Sequence, residues 1–132
     1  MKTFLVFGNP LVPQDSLALK LIPKLKKQFP GFNFRETDST ENLQDFGPEL
    51  NIIDVAPEIK KIKLIEIKNE NDLKKLKIES ITSMHDFDLG YNLKLLMQVK
   101  KIKTAKIILI PFDMVEDKAF EEIKKQINNK KP

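Results

Sequence analysis

The chain has 132 residues, 41% of them apolar, with a formal net charge of +4, one histidine and no cysteine. That length supplies one domain, spanning residues 1–132, and one core. The absence of cysteine removes disulfide frameworks, thiolate metal sites and cysteine nucleophiles from consideration and makes a reducing cytoplasm the expected location.

The amino terminus, "MKTFLVFGNP", holds an apolar stretch too short for a signal peptide and without a small-residue cleavage site, so "KTFLVFG" is expected to be a first strand. A helix follows from about Asp15 to Phe29, with Ala18, Ile22, Leu25 and Phe29 at helical spacing. Pro23 removes a backbone donor there and is expected to kink it near its middle. "FNFRET", entered through "PGF", is the second strand, and "LNIIDVA" reads as a fully buried third strand ending near Asp54. "IKLIEI" alternates apolar and charged residues as a strand open to water on one face does. "DLGYNLKLLMQVKKI" places Leu89, Leu93, Leu96 and Val99 on one helical face. "KIILIPF" is another buried strand and "EDKAFEEIKKQI" a closing amphipathic helix. The longest apolar run, "IILIPF", is far below the roughly 20 residues that cross a bilayer, so no membrane span is expected. Alternation of strand and helix predicts an α/β fold with a mostly parallel sheet.

The positive charge does not point to nucleic acid. Arg35 is the only arginine, and lysines give point charges rather than the bidentate forks that read guanine or clamp phosphate. In "KKIKLIEIKNENDLKKLKIES" they alternate with Glu and Ile, as on a solvated face.

Three polar residues fall at equivalent places in this scheme. Asp15 begins the helix after the first strand, Asp54 sits at the carboxyl end of the third, and His85 lies in "SITSMHDFDLG" just before the next helix. In an open α/β sheet the crevice outside the carboxyl ends of the strands binds ligands, above all where the strand order reverses. Two carboxylates and an imidazole meeting there suit a borderline divalent ion such as nickel or zinc, and three protein ligands leave positions open for substrate or water. Each residue also has a plain structural role: Asp15 as an N-cap, Asp54 as a strand-end charge reaching water, His85 as an exposed or packed side chain. Asn9, in the Gly-Asn-Pro turn, either donates a hydrogen bond to a substrate backbone or serves the turn conformation alone. No "G-x-S-x-G" elbow is present, and Ser83 beside His85 is no evidence for a nucleophile and base pair.

"FLVFGNPLVPQDSLALKLI", "NIIDVAPE" and "SMHDFDLGYNLKLL" resemble, in order and spacing, the three signature blocks of the nickel-iron hydrogenase maturation endopeptidases, and the resemblance covers nearly the whole chain. It implies a phosphorylase/hydrolase-like three-layer α/β/α sandwich. It also implies cleavage of a short C-terminal extension from a hydrogenase large-subunit precursor once nickel has been inserted. The precursor is the implied partner, and the nickel it presents is the recognition signal; zinc or cadmium is expected to substitute in the isolated protein. Carried over residue by residue, the resemblance puts the metal-contacting and catalytic roles on Asp15, Asp54 and His85; separately, the protein is expected to be a monomer. Where the family carries an acidic pair, this chain has Gln14 and Asp15, and the turn after the second acid lacks glycine. The alternative is accordingly a non-catalytic metal- or partner-binding relative. Peptidyl-tRNA hydrolases share the "GNP" opening, but their catalytic histidine follows it closely, and "LVPQDSLALKL" holds none.

Overall fold

The computed structural model describes residues 2–8, 16–37, 42–56, 59–73 and 89–128. Their backbone forms strands β1 (Thr3–Phe7), β2 (Asn33–Thr37), β3 (Glu49–Ala56), β4 (Lys63–Ile67) and β5 (Thr104–Pro111), and helices α1 (Leu17–Gln28), α2 (Leu89–Gln98) and α3 (Glu116–Asn128). The strands make one sheet in the order β2-β1-β3-β5-β4. β1 runs parallel to β2 and β3, β3 parallel to β5, and β4 lies antiparallel on the outer side of β5. The result is a mixed, mostly parallel α/β sheet, as the alternating elements predict.

The apolar runs divide by parity between the two faces. Leu5, Phe7, Ile52, Ala56, Ile107, Leu109, Ile65 and Ile67 form one core with Leu93 of α2. Phe4, Val6, Ile53, Val55, Ile108 and Ile110 form the other with Leu21 and Leu25 of α1 and Ile123 and Ile127 of α3. Right-handed crossovers account for this division. The connection from β1 to β2 runs toward one edge and carries α1 on one face. The connection from β3 to β5 runs the opposite way and carries α2 on the other. Strands covered on both faces read as unbroken apolar runs, which is the character of "KIILIPF". β4, at an edge, buries only Ile65 and Ile67 and leaves the alternate residues half-exposed.

Ser16 occupies the N-cap position of α1, and Ala18, Leu21 and Leu25 turn fully inward. The helix is continuous through Pro23, which lies on its exposed face. There, the Leu19 carbonyl that loses its donor can be hydrated. Between α1 and α3, Lys24 Nζ stands 3.2 Å from Glu116 and 2.9 Å from Asp117. The hydrogen bond to Asp117, then that to Glu116, holds this ammonium above its usual pKa of 10.5.

α2 departs from its expected extent. Val99, placed by spacing on the buried face with Leu93 and Leu96, is 62% exposed. The helix ends at Gln98 and Lys100 takes φ +61°. Its N–H bonds to Met97 O at 3.0 Å, and that of Lys101 bonds to Leu96 O at 2.8 Å, the pair of bonds that closes a helix with a left-handed residue.

Two stability predictions follow from these backbones. Pro23→Ala restores a helical donor on a solvent-facing position and is expected to raise stability by about 1–3 kcal/mol, the lower end reflecting the freer unfolded chain. Lys100→Gly removes the penalty of a side chain in the left-handed region and is expected to add about 0.5–1 kcal/mol. Urea denaturation of each variant against the parent checks both; a loss of stability in either contradicts the corresponding account.

Candidate functional site

β3 is the middle strand, paired on both sides, and Asp54 is its inward-facing charge. The carboxylate shares the face of Ile52 and Ala56, only 6% exposed, in a layer otherwise made of aliphatic and aromatic side chains. Burying a carboxylate there is costly unless it is hydrogen-bonded. One bond comes from the adjacent backbone, where the Val55 N–H donates to Asp54 Oδ1 at 2.8 Å.

The direction of that amide locates the carboxylate. The Phe112 N–H donates to the Ala56 carbonyl at 3.2 Å, so Ala56 presents its backbone groups to the β5 side. Successive residues of a strand alternate between neighbours, and Val55 therefore presents its amide to the β1 side. The pairing of β1 with β3 runs through Val6 and Ile53. Val55 lies two residues beyond this, where β1 reaches its end at Phe7, and the Asp54 side chain takes the hydrogen bond. The buried carboxylate is thus seated at the fork between β1 and β3. From β1 the chain crosses to β2 on one side, whereas β3 lies on the other, and this reversal is the topological switch point at which open α/β sheets bind ligands.

The sheet register adds residues that the linear sequence does not bring together. β1 pairs Phe7 with Thr37, β5 pairs Leu109 with Asp54, and β4 pairs Lys63 with Leu109. Thr37, Phe7, Asp54, Leu109 and Lys63 consequently form one row across the carboxyl end of the sheet, on one face. Thr37 is buried and its hydroxyl donates to the Arg35 carbonyl at 3.2 Å. Lys63 is half-buried, and the exposed Lys60 and Lys61 precede it. Neither Thr37 nor Lys63 stood out in the sequence. The one local signal was that Lys63 occupies the inward parity of β4, ahead of Ile65 and Ile67.

Of the four residues expected at the site, Asp54 is the one the described structure contains. Asn9, Asp15 and His85, together with Gln14, lie outside the described residues. Among the described residues, no three His, Cys, Asp or Glu side chains gather into a metal site. Asp54 supplies an oxygen donor of the kind a nickel or zinc ion accepts.

No family model matches the sequence, and no curated protein matches it either. Solved structures do. The [NiFe] hydrogenase maturation protease HybD from Thermococcus kodakarensis superposes with a TM-score of 0.61 at 24% identity, covering 98% of each chain. The chain has the fold of that maturation protease. A hydrogenase 2 maturation peptidase from Thaumarchaeota archaeon SCGC_AB-539-E09 gives a TM-score of 0.60 at 10% identity over 96% of this chain and 98% of the other. An uncharacterized protein from Wolinella succinogenes gives 0.59 at 15% identity over 98% and 99%. At these identities the likeness is one of fold. It extends over nearly the whole of each partner, so the likeness is one of the entire fold and not of a part of it. No helix among the described residues is long and apolar enough to cross a membrane.

The bond between Asp54 and Val55 makes a comparison of two variants informative. Asp54→Asn keeps a carbonyl oxygen for the Val55 N–H, whereas Asp54→Ala leaves that buried amide without this acceptor. Asp54→Ala is expected to be less stable than Asp54→Asn by about 1–3 kcal/mol. Equal urea midpoints for the two would show that this bond contributes nothing to stability.

Proposed function

We propose that this chain is a metal-dependent endopeptidase that removes the C-terminal extension of a nickel-iron hydrogenase large-subunit precursor after nickel has been inserted. The observation that carries the proposal is the buried Asp54 carboxylate at the β1/β3 fork, in a fold shared end to end with proteins named as hydrogenase maturation peptidases. The three sequence blocks around Asp15, Asp54 and His85 add the other two ligands that such a site requires.

In this function the nickel is part of the substrate. Asp15, Asp54 and His85 engage the ion held by the precursor and thereby fix the scissile peptide beside it, so that proximity supplies a large share of the rate. A metal so placed polarises a carbonyl or lowers the pKa of a bound water. Asp54, oriented by the Val55 amide, presents its carboxylate in a fixed direction without further ordering on binding. Asn9 donates to the substrate backbone. The protein works as a monomer in the cytoplasm, where the precursor is matured.

Gln14 favours one alternative. An amide in place of the first acid of the expected pair removes a charge beside Asp15, and a relative that binds the metal-loaded precursor without cutting it would tolerate that loss. Incubating nickel-loaded precursor with the protein and following its mass separates the two. Loss of the extension is expected with the parent chain, and a drop in rate of about 100-fold or more with Asp15→Ala, Asp54→Asn or His85→Ala. Precursor that is bound but left intact, while a known processing enzyme trims it, would establish the binding protein instead. In the same preparations calorimetric titration with nickel or cadmium is expected to show one site in the parent and none in each variant.

A further inference from the structure

We infer that Lys63 is a specificity-determining residue: its ammonium receives a carboxylate of the precursor's C-terminal extension while Asp54 faces the metal-bearing part of the same substrate. This rests on the endopeptidase function proposed above and names a contact that function does not by itself require. The first ground is register. Lys63 pairs directly with Leu109, and Leu109 with Asp54, so the two charged residues share a row and a face, separated by two strand spacings, about 9.5 Å. The second is parity. Residues 63, 65 and 67 of β4 point to the same face, and Ile65 and Ile67 are core residues, so a cation stands where the pattern of the strand calls for an apolar side chain. It does so at the carboxyl end of the sheet, the end that carries the switch point.

The third ground is charge arrangement. Along this row Asp54 contributes a negative charge and Lys63 a positive one, and exposed Lys60 and Lys61 reinforce the positive side. A substrate lying across the row is oriented by this polarity when it brings a metal cation to the Asp54 side and a carboxylate to the Lys63 side. A lysine suits the task because its point charge rides on a flexible stem and follows a carboxylate over a range of positions. The spacing also sets a distance. An extended peptide covers about 9.5 Å in roughly three residues, so the recognised carboxylate lies about three residues from the segment held at Asp54. An acidic side chain or the terminal carboxylate of a short extension meets that requirement equally.

Processing kinetics and precursor binding, measured on the full-length protein, test this. Lys63→Gln is expected to raise KM and the precursor Kd about tenfold with kcat unchanged, the loss of one charge-assisted hydrogen bond, while Lys63→Arg retains most of the affinity. Precursors with each acidic side chain of the extension changed to its amide, and one with the terminal carboxylate capped as an amide, identify the source. The Lys63→Gln penalty disappears on the precursor that lacks the recognised carboxylate and persists on the others. An unchanged KM and Kd for Lys63→Gln overturns the inference, as does a penalty that is the same on every precursor. If the parent chain binds the precursor without cutting it and Lys63→Gln still weakens binding tenfold, the endopeptidase assignment falls and the carboxylate contact stands. If the parent chain does not bind the precursor at all, both fall.

Discussion

The two-sided pairing of β3 is the constraint on which the remaining structure depends. Eight residues of this strand pair with β5 and three with β1, so its side chains must satisfy a covered layer on each face while its backbone has partners to either side. Aliphatic residues do this without difficulty. A carboxylate does not, and Asp54 lies beyond the last paired residues of β1 and β3, where it accepts the Val55 N–H. A hydrophobic residue at that point would pack against Ile52 and Leu109 and leave the Val55 amide to find another acceptor.

From that arrangement follows a separation of duties between the ends of the sheet. The amino-terminal portions of β1, β3 and β5 are devoted to packing, with Phe4, Leu5, Leu50 and Ala105 all buried. At the carboxyl end of the sheet polar groups from β2, β3 and β4 enter the layer. Thr37, Asp54 and Lys63 come from three different strands, and none of them neighbours another in sequence. Proteins commonly give up stability at the site where they work, and a buried acid together with an inward-pointing lysine at one end of a sheet has that character. The helices α1 and α3, joined by the Lys24 pair with Glu116 and Asp117, cover the opposite face of the sheet and face no such demand.

The strands and helices were legible because each is marked by its own periodicity and each periodic run is long enough to declare itself. "LNIIDVA" and "KIILIPF" are covered on both faces and read as such; "KLIEI" showed its exposed side by alternating. The end of α2 was not legible, because Val99 fits the helical spacing and only the backbone reversal at Lys100, a residue with no special preference for it, takes Val99 out of the core. At the site, Asp54 could be singled out because a charge closing an apolar run is unusual in itself. Lys63 could not. Its meaning depends on β5 lying between it and Asp54, and strand order is a long-range property that no local pattern encodes. The same holds for Thr37, which is an ordinary strand residue until β1 brings it into line with Phe7.

The strand order also governs when the site can exist. β5 comes last in the chain among the five strands, yet it is inserted between β3 and β4. Until it has been made, β3 presents a long apolar edge, and β4 has no partner in the sheet at all. Contacts between residues so far apart in sequence form slowly, and an open edge of that kind invites pairing with other chains. A nascent chain therefore carries Asp54 in an unfinished crevice, with the wall toward Lys63 missing, until nearly the whole domain has emerged. Synthesis and completion of the crevice are thereby coupled: a fragment ending before Thr104 has the acid but not the layer that buries it.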